Sequence, residues 1–218
     1  MILETFSVGA LACNCTIVGD ETSGEAIVVD GGDGVDEVVS RLKSRGLRAT
    51  ALVHTHAHID HIREVGRLRE LTHGTALLHP ADLPLYQTLA LQAGWLGLTP
   101  PPIVAMDGDL NQGNRITIGG GIALDVLHTP GHTPGSVCFA VTQSNGAPGA
   151  TTLLTGDTLF AGSIGRWDLG GTSMEDIVAS IHRRLLDYPD PTAVVPGHGP
   201  FTTIGRERAS NPYLAGAP

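Results

Sequence analysis

The stretch His54-Thr55-His56-Ala57-His58-Ile59-Asp60-His61 follows directly on the apolar run Ala51-Leu52-Val53. An apolar run of this kind reads as a buried strand. It delivers a loop dense in imidazole and carboxylate to the end of a rigid element. On extended backbone His56 and His58, two residues apart, project to the same side. Asp60 and His61 are adjacent and point apart unless the chain turns. A helix beginning at about Ile62 would supply the turn, and one loop would then offer two ligand pairs to two neighbouring metal ions. Histidine with carboxylate is a ligand set for zinc, and also for iron and manganese. Histidine-rich tracts also occur in tags and solvated loops. This one is internal, follows a strand pattern and carries an acid at fixed spacing.

Outward from that stretch, the chain of 218 residues is long enough for one large domain or two small ones. Its 41% hydrophobic content supports a sizeable core, and its net charge of −9 argues against a nucleic-acid surface, which would be basic. The three cysteines, Cys13, Cys15 and Cys138, form no disulfide framework and suggest a reducing compartment. Cys13 and Cys15 lack a second pair to complete a metal site and read as buried thiols. The N-terminus shows no signal peptide, and no apolar run is long enough to span a membrane. A cytoplasmic protein is the expectation, with the oligomeric state open.

Residues 2–8, 15–18 and 26–29 read as strands. The last leads into Asp30-Gly31-Gly32-Asp33-Gly34, which lacks a phosphate-loop pattern. Asp30 either supports a metal site from behind its ligands or is a turn aspartate. Val35, Val38, Val39 and Leu42 form a helical stripe that ends near Arg45-Gly46. Ile62, Val65 and Leu68 start a second helix, and Thr75–Leu78 is a strand. Residues 80–102, bracketed by prolines, predict short helices and a loop that is either a lid or substrate wall, or ordinary packing. Strands follow at 115–118 and 122–127, joined across Gly119-Gly120-Gly121, then at 137–141, 151–155 and 193–195, with a loose turn at 144–150. Met174, Ile177, Val178, Ile181 and Leu185 form a helical stripe, with Thr172 and Glu175 fitting a capping box in front of it. The halves, roughly 1–110 and 111–218, repeat one layout of strands and helices. His56, His58, Asp60, His61, His132, Asp157 and His198 all fall at strand ends, where they can converge.

The ordered set Thr-His-Ala-His-Ile-Asp-His (55–61), Thr-Pro-Gly-His-Thr-Pro-Gly (129–135), Thr-Gly-Asp-Thr-Leu-Phe (155–160) and Pro-Gly-His-Gly (196–199) resembles the metallo-β-lactamase fold superfamily, over nearly the whole chain. The segments Thr155–Arg166 and Pro196–Gly205 are similar to small, single-domain glyoxalase II-like hydrolases. The resemblance implies an α/β protein, an αβ/βα four-layer sandwich of two mixed sheets with helices outside, forming a single domain over 1–218. It implies that His56, His58 and His132 hold one metal ion, that Asp60, His61 and His198 hold a second, and that Asp157 bridges both. The implied cofactor is two Zn2+ per chain, with Fe or Mn as alternatives. The implied chemistry is hydrolysis of a small-molecule thioester, such as S-lactoylglutathione, by hydroxide held between the metals, with Asp60 orienting it. Two-domain glyoxalase II enzymes bind glutathione through a basic residue, a tyrosine and a C-terminal helical domain. Here Arg166 stands in the basic place, Asp168 stands where the tyrosine would be, and the helical domain is missing. Arg166 is either a carboxylate anchor or a structural ion pair, and Trp167 either lines the cleft or packs. His54 and His128 are adjacent to ligand loops, and His73, His79 and His182 read as surface or capping residues. Competing readings are a one-iron persulfide dioxygenase, a lactonase or weak β-lactamase, and a non-catalytic metal-binding scaffold. A tRNA-processing nuclease is disfavoured by the acidic charge.

Overall fold

A computed structural model describes residues 1–144, 151–169 and 171–214. The chain clusters into two compact units, Met1–Leu110 with Ile118–Gly120, and Asn111–Thr117 with the described part of Gly121–Pro218. The division falls where the repeated layout places it.

In the first unit β1 (Ile2–Val8), β2 (Cys13–Asp20) and β3 (Glu25–Val29) form an antiparallel meander. The direction then changes. A parallel neighbour needs a crossover, and α1 (Val35–Ser44) supplies it, burying Val35, Val38 and Leu42. The next strand, β4 (Arg48–Val53), pairs parallel with β3. After it come α2 (Ile59–Ile62) and α3 (Val65–Thr72), then β5 (Thr75–Leu78), parallel to β4. The short helices α4 (Leu83–Tyr86) and α5 (Leu89–Trp95) precede β6 (Gly108–Asp109), which completes a six-stranded sheet in chain order. One core cluster joins Cys13, Cys15 and Ile17 to the α1 stripe and Leu68. Another joins Ala57, Ile59 and Ile62 to Tyr86, Leu89 and Ala93. Packing is therefore what residues 80–95 do in this unit.

Helix formation after the histidine loop begins at Ile59, not at about Ile62, with His58 as the extended residue in front of it. Ile59 and Ile62 are three apart and both buried, so the apolar spacing starts inside the ligand motif. The helix stops after one turn because the Glu64 amide donates to the Gly32 carbonyl (2.8 Å) instead of continuing the ladder. The chain restarts as α3.

The second unit holds all but the last residue of β7 (Arg115–Ile118), together with β8 (Ile122–His128), β9 (Val137–Gln143) and β10 (Thr152–Gly156). A hairpin of β11 (Leu159–Phe160) and β12 (Ser163–Ile164) precedes α6 (Met174–Arg184), and β13 (Ala193–Pro196), β14 (Thr202–Thr203) and α7 (Ile204–Ser210) follow. The sheet order is β14-β13-β10-β9-β8-β7, with β10 and β13 parallel. Ile177, Ile181 and Leu185 bury against Cys138, Leu153 and Val194. The turn expected at 144–150 lies, apart from Ser144, outside the described residues. Among the described residues no helix is long and apolar enough to cross a membrane.

The capping box of α6 is one residue later than the spacing of Thr172 and Glu175 suggests. Ser173 Oγ accepts from the Asp176 amide (3.1 Å), and Asp176 Oδ2 accepts from the Ser173 amide (3.0 Å). Thr172-Ser173 and Glu175-Asp176 fit the pattern in either frame, and the extended backbone at Ser173 selects the second. Replacing Ser173 by Ala removes this cap and lowers stability by about 1 kcal/mol. A urea titration checks this, and an unchanged midpoint would place the cap elsewhere.

Candidate metal centre

Val29 and Val53 are paired in register at the ends of β3 and β4, so Asp30 and His54 leave the sheet side by side. The Asp30 amide donates to the Val53 carbonyl (3.0 Å), and the His54 amide to the Leu77 carbonyl (3.2 Å). In open sheets with parallel strands, sites form at the carboxyl ends of those strands. The Asp30 backbone is left-handed (φ 54°), which aspartate tolerates better than most residues. That turn aims its buried carboxylate into the histidine loop. Oδ1 accepts from the Thr55 amide (2.7 Å), and Oδ2 from the Thr55 hydroxyl (2.7 Å) and His61 Nδ1 (3.0 Å). With its proton given to Asp30, the Thr55 hydroxyl accepts from His56 Nδ1 (3.0 Å). One carboxylate therefore sets the tautomer of two histidines, His61 directly and His56 through Thr55, and leaves each Nε2 as a lone-pair donor. This is the arrangement that orients ligands around a metal.

His56 and His58 meet edge to face with ring centroids 4.8 Å apart, and His56 and His61 are 4.0 Å apart. His61 Nε2 stands 3.6 Å from Asp60 Oδ2. That is longer than a hydrogen bond and close to the roughly 3.4 Å between two atoms that share one ion at metal–ligand distances of about 2.1 Å. The first unit thus brings His56, His58, Asp60 and His61 together. The loop itself is held from segment 80–95. The Ala57 amide donates to Asp82 Oδ2 (3.0 Å), the Ile59 amide to Gln92 Oε1 (2.9 Å), and Gln92 Nε2 donates to the Ala57 carbonyl (3.3 Å). Gly32 passes so close that a Cβ there would lie 2.0 Å from the carbonyl carbon of His61.

In the second unit β10 and β13 end in register at Gly156 and Pro196, which places Asp157 and His198 at one edge. Asp157 Oδ2 is 3.6 Å from His132 Nε2, and Oδ1 is 3.7 Å from His198 Nε2. Each oxygen of one carboxylate faces a different imidazole. His132 Nδ1 donates to the Arg166 carbonyl (2.7 Å), so its Nε2 also carries a lone pair. The close approach depends on Gly165, where a Cβ would lie 1.7 Å from the Asp157 carbonyl oxygen.

The Arg166 side chain is exposed and forms a two-pronged ion pair with Asp168 (3.0 and 3.1 Å), which raises the pKa of the guanidinium and lowers that of the carboxyl. Trp167 packs against the core of the second unit and lies edge to face with Tyr213. Among the remaining histidines, His54 is fully buried and donates from Nδ1 to the His61 carbonyl (2.9 Å), and burial lowers its pKa. His128 Nε2 bonds the Pro134 carbonyl (3.0 Å), and His79 caps a 3-10 turn at Pro80–Asp82. Cys13 and Cys15 are buried, as their spacing suggests, but the Cys13 thiol lies 3.5 Å from His61 Nδ1. Burial pushes that thiol up to about 11 against a smaller opposing pull from His61, and raises Cys15 as well. Asp82 and Gln92 carry no sequence signal as supports, since each sits in a helical segment more than 20 residues beyond the loop it holds.

A family model described as the metallo-beta-lactamase superfamily matches residues 8–198, which include all the candidate ligands. The chain belongs to the metallo-β-lactamase superfamily. It is 33% identical to hydroxyacylglutathione hydrolase GloC of Haemophilus influenzae, over 98% of both chains. Among solved structures, BLEG-1, a B3 metallo-β-lactamase, is 33% identical, covers 99% of this chain and 100% of its own, and has a TM-score of 0.86. TTHA1623, solved in a di-iron-bound form, is 38% identical over 97% of this chain and 100% of its own, with a TM-score of 0.82. The fold is accordingly the metallo-β-lactamase fold, with mixed sheets and helices, and the protein is a metallo-hydrolase of that superfamily carrying His/Asp metal-binding clusters.

Asp30→Asn presents an amide donor to groups that already donate. It is expected to lower metal affinity about 10- to 100-fold, read by chelator competition. An unchanged affinity would make Asp30 a turn residue only. The native thiols, neutral and buried, are expected to resist a thiol reagent at pH 8 and to react once urea unfolds the chain. Rapid labelling of the native protein would contradict the burial.

Proposed function

We propose that the protein is a binuclear metal-dependent thioester hydrolase of the glyoxalase II type. The observation that carries this reading is the Asp157 carboxylate, with its two oxygens 3.6 and 3.7 Å from the Nε2 atoms of two different histidines. A carboxylate so placed suits a bridge between two ions. In this reading His56, His58 and His132 would hold one ion, Asp60, His61 and His198 would hold the other, and Asp157 would serve both. The donor set suits zinc, iron or manganese, and the di-iron form of a relative keeps iron open. Two such ions, when bound, lower the pKa of a water and polarise a carbonyl oxygen.

The chain's own groups do the rest. Asp60, partly buried beside His61, holds the attacking water and accepts its proton. The water oxygen bonds to the carbonyl carbon, the carbon–sulfur bond breaks, and the thiolate is protonated as the carboxylate product forms. Asp30 and the Arg166 carbonyl keep His56, His61 and His132 in the donor tautomer throughout. The GloC relative acts on a hydroxyacylglutathione by its name, which supports a thioester of that class as substrate.

Metal-loaded protein is expected to cleave S-lactoylglutathione, followed by loss of thioester absorbance. Removing an outer support alone costs about 10- to 100-fold, so Asp157→Ala is expected to lower kcat at least about 100-fold. Full metal occupancy without turnover would sink this substrate. Oxygen uptake with a persulfide would then favour the dioxygenase reading.

A further inference from the structure

A cavity of about 180 Å3 opens beside Asp60 in the first unit. Leu11, Ile59, Leu96 and Leu98 supply its apolar wall. Besides Asp60, its charged members are Asp33 and Arg63, which are paired with each other at 3.0 Å and leave little unsatisfied charge for a ligand. Leu11 and Leu96 are about half exposed. Exposed leucines flanking an apolar recess fit the mouth of a binding site. A larger groove of about 830 Å3 shares Arg63 and Leu98 as walls, but no candidate ligand lines it. Of the two, the smaller cavity reaches a residue assigned to the chemistry, Asp60.

We propose that this cavity is the acyl site, and that it selects unbranched aliphatic acyl groups over the polar 2-hydroxyacyl group. The proposal rests on the thioesterase reading above and departs from it in the acyl group, away from the hydroxyacyl class in the GloC relative's name. A water-sized or methylene-sized group takes about 30 Å3, so the cavity has room for about six. That suits a butyryl to hexanoyl chain and is too small for a peptide thiol, which stays outside. A lactoyl hydroxyl entering this wall would lose its water and find the Asp33–Arg63 pair, already mutually bonded, and Asp60, which the reaction engages with the attacking water.

The test is a series of S-acyl-N-acetylcysteamine thioesters, from propionyl to decanoyl with lactoyl included, on metal-loaded protein. Each methylene buried is expected to raise kcat/KM about 4-fold. Hexanoyl would then exceed propionyl on the order of 50-fold and exceed lactoyl too, with a fall by decanoyl. Leu11→Trp, at an exposed position that tolerates bulk, should narrow the mouth and flatten the series. Leu98→Ala should move the optimum to longer chains. In parallel, hexanamide is titrated into methyl-labelled protein, and the methyls of Leu11, Ile59, Leu96 and Leu98 should shift. Turnover with no dependence on chain length, or a preference for lactoyl that Leu11→Trp leaves unchanged, overturns the acyl site and leaves the hydrolase standing. No turnover of any thioester sinks the hydrolase reading. In that case methyl shifts with hexanamide would still support an aliphatic site, and their absence would overturn it.

Discussion

A single buried carboxylate, Asp30, ties the first unit together. Placing a charge where water cannot reach is costly unless it is fully hydrogen-bonded. Three donors answer it: the Thr55 amide, the Thr55 hydroxyl and His61 Nδ1. Any of the three, if lost, leaves an expensive group poorly satisfied. The arrangement therefore binds strand end, histidine loop and ligand tautomer into one unit, and the parallel register of β3 with β4 makes it reachable. The antiparallel β1–β3 meander and the α1 crossover matter to the chemistry mainly because they set that register.

The ligand loop carries a second level of support that has nothing to do with charge pairing among ligands. Its backbone amides at Ala57 and Ile59 are buried, and buried amides need acceptors. Asp82 and Gln92 provide them from the short helices that follow β5. The proline-bracketed segment is thus a brace for the loop, and its last residues also line the cavity beside Asp60.

Much of this was legible in the sequence where periodicity is strong. The α1 and α6 stripes, the apolar strands and the strand-end placement of the histidines all emerged from spacing alone. Two-residue strands such as β6, β11 and β12 are too short to show a period, and α7 is mostly polar, burying Ile204 in the core and Glu207, which accepts from the Gly162 amide. The start of α2 was hidden because ligand residues occupy positions between its apolar ones. Asp30 stood out as a glycine-flanked acid, but sequence could not choose between a turn and a support, since the donors lie about 25 and 31 residues away. Long-range hydrogen bonds of this kind leave no local pattern.

The two kinds of histidine anchor differ in how they meet mutation. Asp30 and Thr55 hold their ligands with side chains, so almost any replacement is felt at the metal site. His132 is held by the main-chain carbonyl of residue 166. That carbonyl is present whatever amino acid stands there, and the arginine itself points to solvent toward Asp168. Position 166 can therefore change its side chain while its backbone keeps the imidazole in place. Variation there can reshape what the outer surface recognises without retuning the histidine beneath it, which lets a lineage exchange substrates while the hydrolytic machinery stays the same.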